Sequence, residues 1–176
     1  MHPIPVFVNA SAGGAGPVLR VLRADPRVTV RITPPAQLVS ALETAVAQGA
    51  GSVIVAGGDG TLTAAAVAMA GRDVALGVVP AGTLNHFAHD QRLPMDPAAA
   101  LEVALNGRAA PIDAASVNER IFLNTSAVGA YPAYVRTRQR WAPRLGYYGA
   151  SVAAAVRTFI RLHSLAVDVE VRGELR

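Results

Sequence analysis

The chain has 176 residues, of which 52% are hydrophobic and 16% are charged, and its formal net charge is +4. This length and apolar content predict a globular protein that buries one complete core. The absence of cysteine excludes disulfides, thiolate catalysis and cysteine-ligated metal. The absence of lysine excludes the Walker P-loop, the strand lysine of protein kinases and Schiff-base chemistry.

Short β-branched runs alternate with helical patterns over the first 105 residues. Strands are predicted at 6–8, 28–32, 53–55 and 74–79, and helices at 17–24, 36–48, 61–71 and 97–105. This alternation is typical of a parallel α/β sheet. The run 74–79 is continuously apolar, so that strand should be buried on both faces.

The pattern changes near Pro111, where a second domain is predicted to begin. Residues 112–117 and 120–124 flank Asn118-Glu119 as the strands of an antiparallel hairpin would. A long helix is predicted at 147–163 and an alternating strand at 165–172. Because that strand has no evident partner after it, we expect it to pair within the hairpin, with another chain, or with residues beyond this sequence.

The first motif is Gly57-Gly58-Asp59-Gly60-Thr61, which lies between a predicted strand and a predicted helix. Glycines allow close backbone approach, and the start of a helix supplies N–H groups and a positive dipole end for phosphate oxygens. Asp59 could hold Mg²⁺ or accept a proton from an attacking hydroxyl. The alternative is an ordinary tight turn in which Thr61 caps the helix.

The second motif, Pro80-Ala81-Gly82-Thr83-Leu84-Asn85-His86-Phe87-Ala88, follows the last predicted parallel strand. Ligands of open α/β sheets gather at the carboxyl ends of the strands, so both glycine loops should face one crevice. Thr83 and Asn85 would then offer hydrogen bonds to a ribose or a phosphate. The alternative is a loop in which one of these two residues caps a following helix.

Together, the two motifs resemble those of the diacylglycerol kinase catalytic domain family, which includes sphingosine kinases and bacterial lipid kinases. The resemblance runs from Val6 to about Leu162. It implies an α/β fold, with an NAD kinase/diacylglycerol kinase-like N-terminal parallel-sheet domain at 1–110. The beginning of a β-rich second domain would follow at 111–176. It also implies an ATP- and Mg²⁺-dependent kinase that transfers the γ-phosphate to a lipid hydroxyl, such as that of diacylglycerol. NAD kinases share the GGDGT turn and remain an alternative.

The family resemblance also implies roles for individual residues. Asp59 would be the catalytic residue and the metal ligand. The ATP-binding residues would be Asn9, Thr33, Gly57, Gly58, Asp59, Gly60, Thr61, Gly82, Thr83 and Asn85. The chain departs from the family at Asn9-Ala10-Ser11-Ala12-Gly13, where relatives show Asn-Pro-x-Ser-Gly. It departs again at Thr63-Ala64, where many relatives carry Asn-Glu.

The C-terminal part of the family raises a third possibility. Relatives continue well past residue 176, and the later segment supplies an aspartate proposed as the general base for the lipid hydroxyl. We therefore expect the β-rich domain to be incomplete here, and this chain alone could be inactive. In that case it would be a truncated or regulatory nucleotide-binding module that acts without turnover.

Charge and hydropathy bear on partners and location. An arginine and aromatic cluster at 136–148 could meet anionic headgroups, whereas no RNA-binding motif supports nucleic acid. The C-terminal region could also form a homodimer. No apolar run reaches about 18 residues, and residues 1–5 lack a secretory pattern. The expected location is cytoplasmic, including the inner face of the membrane as a peripheral site.

Overall fold

The computed structural model describes residues 3–123, 130–161, 170–171 and 174–175. The chain divides into two compact units, Met1–Thr125 and Ser126–Arg176. The elements of the first unit are β1 (Ile4–Val8), α1 (Ala15–Ala24), β2 (Val28–Ile32), α2 (Leu38–Ala47, after a short 3₁₀ turn at Pro35–Gln37), β3 (Ser52–Gly57), α3 (Asp59–Met69), β4 (Ala75–Pro80), α4 (His86–Asp90), α5 (Pro97–Asn106), β5 (Ala115–Val117) and β6 (Arg120–Phe122).

The first four strands form one parallel sheet in the order β2-β1-β3-β4. This confirms the predicted α/β fold. Val8 lies beside Ile32 on one side and Ala56 on the other, and Gly57 lies beside Pro80. All four strands therefore end at one edge of the sheet, and the loops that follow them lie close together.

Two cores pack on opposite faces of this sheet because successive strand side chains point to opposite sides. Phe7, Val53 and Val55 pack with residues of α2 and α3. Val6 and Ile54 pack on the other face with residues of α1 and α5. The result is a three-layer arrangement with the carboxyl edge of the sheet packed between helices.

Strand β4 is buried over its second half, and the prediction that it is buried throughout is wrong for the first half. Val78 and Val79 are buried, whereas Ala75 to Gly77 are half-buried. The reason is its position at the edge of the four-stranded sheet. Helix α5 packs closely here, since a Cβ on Gly77 would lie 2.8 Å from the Cβ of Ala104.

The hairpin predicted around Asn118-Glu119 is present as β5 and β6, which pair antiparallel. Both turn residues adopt left-handed backbone, with φ values of 47° and 63°. Leu123, just after β6, packs against the core beneath α3. The hairpin thus belongs to the first compact unit, and the start of a separate β-rich domain at Pro111 stays a prediction.

The second unit contains helix α6 (Ala130–Ile160) and a short hairpin of β7 (Glu170–Val171) and β8 (Glu174–Leu175). Helix α6 includes the predicted helix from residue 147 onward, but it begins much earlier. It is interrupted at Gly146, which has non-helical backbone with φ 67°. Sequence patterning missed the first half because prolines and arginines there obscure the helical spacing of apolar residues.

The strand predicted at 165–172 lies largely outside the described residues. Its described part, Glu170–Val171, pairs with Glu174–Leu175. The expectation that no partner follows this strand is therefore wrong at these two residues. A strand of two residues, Glu174–Leu175, is too short to show the alternation of apolar residues by which strands are predicted.

Candidate functional site

A cavity of about 450 Å³ lies at the carboxyl edge of the parallel sheet. Its lining comes from the loops that follow β1, β2, β3 and β4. The lining residues are Asn9, Ser11, Ala12, Gly13, Pro35, Leu38, Gly58, Asp59, Gly60, Thr61, Ala64, Gly82 and Thr83. A volume of this size is typical of small-molecule sites, which span about 300–1,000 Å³.

The GGDGT turn places the start of α3 against the cavity. Gly58 precedes the helix, and its carbonyl accepts the N–H groups of Thr61 and Leu62 at 2.9 and 3.0 Å. The N–H groups of Asp59 and Gly60 have no acceptor among the described residues. The helix therefore presents two N–H groups and its positive dipole end to the cavity, the arrangement that binds anions.

The two glycine loops touch through their backbones. A Cβ on Gly82 would lie 2.5 Å from the Cα of Gly58, and a Cβ on Gly58 would lie 2.9 Å from the Cα of Gly82. Ala81 also donates its N–H to the carbonyl of Gly57 at 3.0 Å. The absence of side chains at both glycines is what allows the loops after β3 and β4 to meet.

Asn9 links the loop after β1 to helix α3. Its backbone N–H continues the sheet by donating to Ala56 at 3.1 Å. Its Oδ1 accepts the N–H of Ser11 at 3.0 Å, and its Nδ2 donates to Oγ1 of Thr61 at 3.1 Å. Two predicted ligand-binding side chains thus bond to each other beside the cavity.

Asn85 closes the loop after β4 on itself. Its Oδ1 accepts the N–H of Gly82 at 2.8 Å, and its Nδ2 donates to the carbonyl of Gly82 at 3.0 Å. Its backbone is left-handed, with φ 49° and ψ 43°. The amide side chain is therefore committed to the loop backbone.

Asp59 connects the two motifs through its carboxylate. Oδ1 accepts the N–H of Phe87 at 2.9 Å, and Oδ2 accepts the N–H of His86 at 3.1 Å. These N–H groups open helix α4, so Asp59 caps a helix that begins 27 residues later. Each carboxylate oxygen keeps a further lone pair for a metal or a proton.

The structure brings together most of the residues that the sequence singled out. Asn9, Gly58, Asp59, Gly60, Thr61, Gly82 and Thr83 line the cavity. Thr33, Gly57 and Asn85 do not line it. The Thr33 side chain is buried, and its hydroxyl donates to the carbonyl of Arg31 at 3.3 Å. Ligand contacts by any of these residues stay predictions.

Sequence reasoning missed part of the lining. Pro35 and Leu38 come from the segment after β2, and Ala64 comes from the second turn of α3. Their place in the chain could have identified them, because every loop that follows a parallel strand reaches the same edge of the sheet. Apolar residues there give no chemical motif, so composition alone could not identify them.

The electrostatics of the cavity are unusual for an anion site. Of its described lining residues, Asp59 is the one that carries a charge, and none is arginine. Within the described residues, no group of three or more His, Asp or Glu side chains is arranged to hold a metal ion. A bound phosphate would therefore be balanced by backbone N–H groups, the α3 dipole and a cation that the ligand itself brings.

The clearest pKa perturbations lie away from the cavity. Arg27 bonds to Asp25 at 2.6 Å and to Glu102 of α5. These hydrogen bonds lower the pKa of Asp25 to about 2 and also lower the pKa of Glu102. The same partners raise the pKa of Arg27. This network joins the start of β2 to α5 and plays no part in the site.

Comparison with known proteins adds independent information. The family model described as the diacylglycerol kinase catalytic domain matches residues 3–117. A "Probable lipid kinase YegS-like" protein of Cronobacter sakazakii is 39% identical over 134 residues, which is 72% of this chain and 44% of that protein. One of the same name from Serratia proteamaculans is 31% identical and covers 98% of this chain and 60% of its own length. The chain thus spans about half the length of these curated relatives.

A diacylglycerol kinase of Mycobacterium tuberculosis is 34% identical over 125 residues, which is 66% of this chain and 40% of that protein. Among solved structures, a Bacillus anthracis protein considered a diacylglycerol kinase aligns with a TM-score of 0.71 at 22% identity. That alignment covers 99% of this chain and 62% of the other. At this identity the structural likeness shows the fold.

Proposed function

This chain belongs to the diacylglycerol kinase catalytic domain family, and from that premise we propose that it acts in transferring the γ-phosphate of MgATP to a lipid hydroxyl, such as that of diacylglycerol. The observation that supports this most is the backbone contact of Gly58 with Gly82. This contact lies beside the N–H groups of Asp59 and Gly60, which have no acceptor among the described residues. The contact joins the family's two motifs into one anion-binding edge.

The residues present fit a magnesium nucleotide. Phosphate oxygens would bind the N–H groups of Asp59 and Gly60, and the hydroxyls of Thr61 and Thr83 line the same cavity. Mg²⁺, when bound, would neutralise phosphate charge that no lining arginine balances. Asp59 would use its remaining lone pairs either as a metal ligand or to accept the proton of the attacking hydroxyl.

Catalysis at such a site would rest on positioning. The loops are fixed to each other by hydrogen bonds from Ala81 to Gly57 and from Asn9 to Thr61. A fixed backbone holds the phosphates in line with the acceptor and avoids reorganisation during transfer. The three-layer core, packed on both faces of the sheet, supports these loops.

The acceptor side of the proposal involves a membrane surface. Helix α6 carries exposed apolar side chains at Tyr148, Val152 and Phe159, and residues 130–161 contain six arginines and no acidic residue. Such a surface suits peripheral contact with an anionic bilayer at the inner face of the membrane. The alternative, a homodimer through the C-terminal region, would have to keep two copies of this basic helix apart, because like charges repel. Among the described residues, no helix is both long enough and apolar enough to cross a bilayer.

The decisive experiment scores nucleotide binding and phosphate transfer separately. The chain is incubated with MgATP and either vesicles containing diacylglycerol or NAD. Binding with transfer to the lipid supports the proposal, and transfer to NAD would replace it with the NAD kinase alternative. Binding without transfer identifies a nucleotide-binding module, and absence of binding contradicts the proposed site.

A substitution separates the site role of Asp59 from its capping role. We expect Asp59→Ala to weaken MgATP binding more than tenfold and to cost about 1 kcal/mol of unfolding free energy, since it removes the acceptor of two N–H groups. The matched control is Asp96→Ala, because Asp96 caps α5 by accepting the N–H of Ala99 at 2.9 Å. That control should lose similar stability while its MgATP affinity, measured by calorimetry, stays unchanged. Equal affinities of the two variants would assign Asp59 to capping alone.

A further inference from the structure

Asn85 holds an unusual place in the loop after β4. It is one of four non-glycine residues with positive φ in the described structure, at 49°. Asparagine tolerates this region better than most residues, although it still carries a conformational cost. A residue kept in this state directly beside the candidate site calls for a compensating interaction.

The compensating interaction is a pair of hydrogen bonds to a single residue. The Asn85 side chain accepts from the N–H of Gly82 and donates to the carbonyl of Gly82, at 2.8 and 3.0 Å. Only an amide can make both bonds, because it carries an acceptor oxygen and a donor nitrogen. A carboxylate could accept the first bond but not donate the second, and an ammonium could donate the second but not accept the first. The side chain therefore holds both the N–H and the carbonyl of Gly82, and so fixes the orientation of the peptide groups on either side of this residue.

The fixed residue is also the one that touches the GGDGT turn. A Cβ added to Gly82 would meet Gly58 Cα at 2.5 Å and Asn85 Oδ1 at 2.8 Å. Gly82 thus lies between Gly58 and the Asn85 amide. Thr83 follows at once and lines the cavity, so the orientation of Gly82 sets where Thr83 is presented.

We infer that Asn85 is a positioning residue that holds Gly82 against Gly58 and thereby presents Thr83 to the nucleotide. This inference rests on the proposed function, and it replaces direct nucleotide contact by Asn85. The other end of the loop is held separately, because Asp59 accepts the N–H groups of His86 and Phe87. The loop is anchored at both ends, and only Thr83 and Leu84 remain exposed at its tip.

The test compares two asparagines with nearly the same positive φ. Asn85→Gly permits the left-handed conformation and removes both hydrogen bonds. The matched control is Asn118→Gly, because Asn118 has φ 47°, is exposed in the β5-β6 turn and does not line the cavity. The measurements are calorimetric MgATP affinity, melting temperature, and hydrogen exchange at the Gly82 amide.

We expect Asn85→Gly to weaken MgATP affinity about tenfold and to accelerate exchange at Gly82. Because it also loses two hydrogen bonds, its melting temperature should lie below that of Asn118→Gly. Asn85→Asp keeps the acceptor, so it should preserve protection of the Gly82 N–H while losing more affinity than Leu84→Asp. The Leu84 variant adds the same charge to an exposed position of the same loop and leaves Asn85 in place. Asn85→Asp also decides the matter if the glycine variant does not fold.

Each outcome bears on the inference. Wild-type affinity in Asn85→Gly would overturn it and leave the proposed function intact. An equal loss of affinity in both glycine variants would also overturn it, by assigning the effect to backbone flexibility. Failure of the wild-type chain to bind MgATP would overturn the proposed function, and the positioning role would fall with it.

Discussion

At the scale of single residues, the candidate site depends on where side chains are absent. Gly57 packs under Thr61, since a Cβ there would lie 2.5 Å from the threonine Cβ, and Gly58 and Gly82 meet backbone to backbone. By contrast, Gly60 has open space where its Cβ would be. Within one motif, Gly57 and Gly58 are required by close packing, whereas Gly60 is not. The sequence pattern GGDGT does not distinguish these two situations.

Gly82→Ala is the sharpest test of this close approach. The added methyl group would overlap backbone atoms of Gly58, which cannot move as a side chain can, so we expect a loss of about 1–3 kcal/mol in unfolding free energy. Urea denaturation measures it. The control Gly16→Ala lies in α1 with nothing within 4 Å of its new Cβ, and it should keep or slightly raise stability. An unfolding free energy of Gly82→Ala equal to that of the wild type would show that the two loops can separate without loss of stability.

At the scale of elements, the N-terminal ends of two helices, α3 and α4, determine where polar groups of the candidate site lie. Helix α3 begins at Asp59, two residues earlier than the sequence suggested, so the aspartate lies in its first turn. Helix α4 is short and has no cap from its own preceding residue, and Asp59 supplies one from another element. Helix α5 is capped by Asp96 and tied to the start of β2 through Arg27.

The Arg27 network predicts a measurable pH dependence. Because the folded pKa of Asp25, about 2, lies below its ordinary value of 3.8, its contribution to stability is present above pH 3.8 and is lost as pH falls toward 2. Arg27→Ala should flatten the fall in melting temperature across this window at low salt. Arg72→Ala is the matched control, since its side chain is equally exposed but lies 3.7 Å from Glu43. A wild-type slope in Arg27→Ala would contradict this assignment.

At the scale of the whole molecule, charge is divided unequally between the two units. Residues 1–125 hold eight arginines and nine acidic residues, whereas residues 126–176 hold eight arginines and three acidic residues. The net positive charge of the chain thus comes from the second unit. The unit with the candidate nucleotide site is close to neutral, and the unit with α6 is basic.

This division predicts which unit binds an anionic bilayer. The exposed residues Arg140 and Arg144 of α6 are both replaced by glutamine. The free energy of binding to anionic vesicles, measured by sedimentation, should weaken by about 1 kcal/mol per arginine. The control replaces Arg72 and Arg92 of the first unit by glutamine and should leave binding unchanged. Equal binding to neutral phosphatidylcholine vesicles, or a dimer in analytical centrifugation that requires the two α6 arginines, would contradict the membrane proposal.

Local patterns were sufficient to predict the parallel sheet of the first unit and the edge of the sheet at which the candidate cavity lies. The apolar, β-branched runs 6–8 and 53–55 and the helical spacing of apolar residues in 36–48 are visible in short windows of sequence. Each of these patterns shows which residues are suited to face a core. The β5-β6 hairpin was predicted from its turn instead, because Asn118 and Glu119 separate two short strand patterns; its strands are largely exposed. The order strand, glycine turn, helix then placed GGDGT and PAGTLNHFA at one edge of the sheet, because parallel strands end together.

The tertiary structure alone decided how the site is held. Asp59 bonds to amides 27 and 28 residues away, and Asn9 bonds to Thr61 across 52 residues. Sequence names the acceptors and donors but not which pairs meet, since every loop at the edge offers several polar groups within reach. These long-range pairs are fixed by packing of the sheet and helices, which also placed Pro35 and Leu38 in the cavity wall.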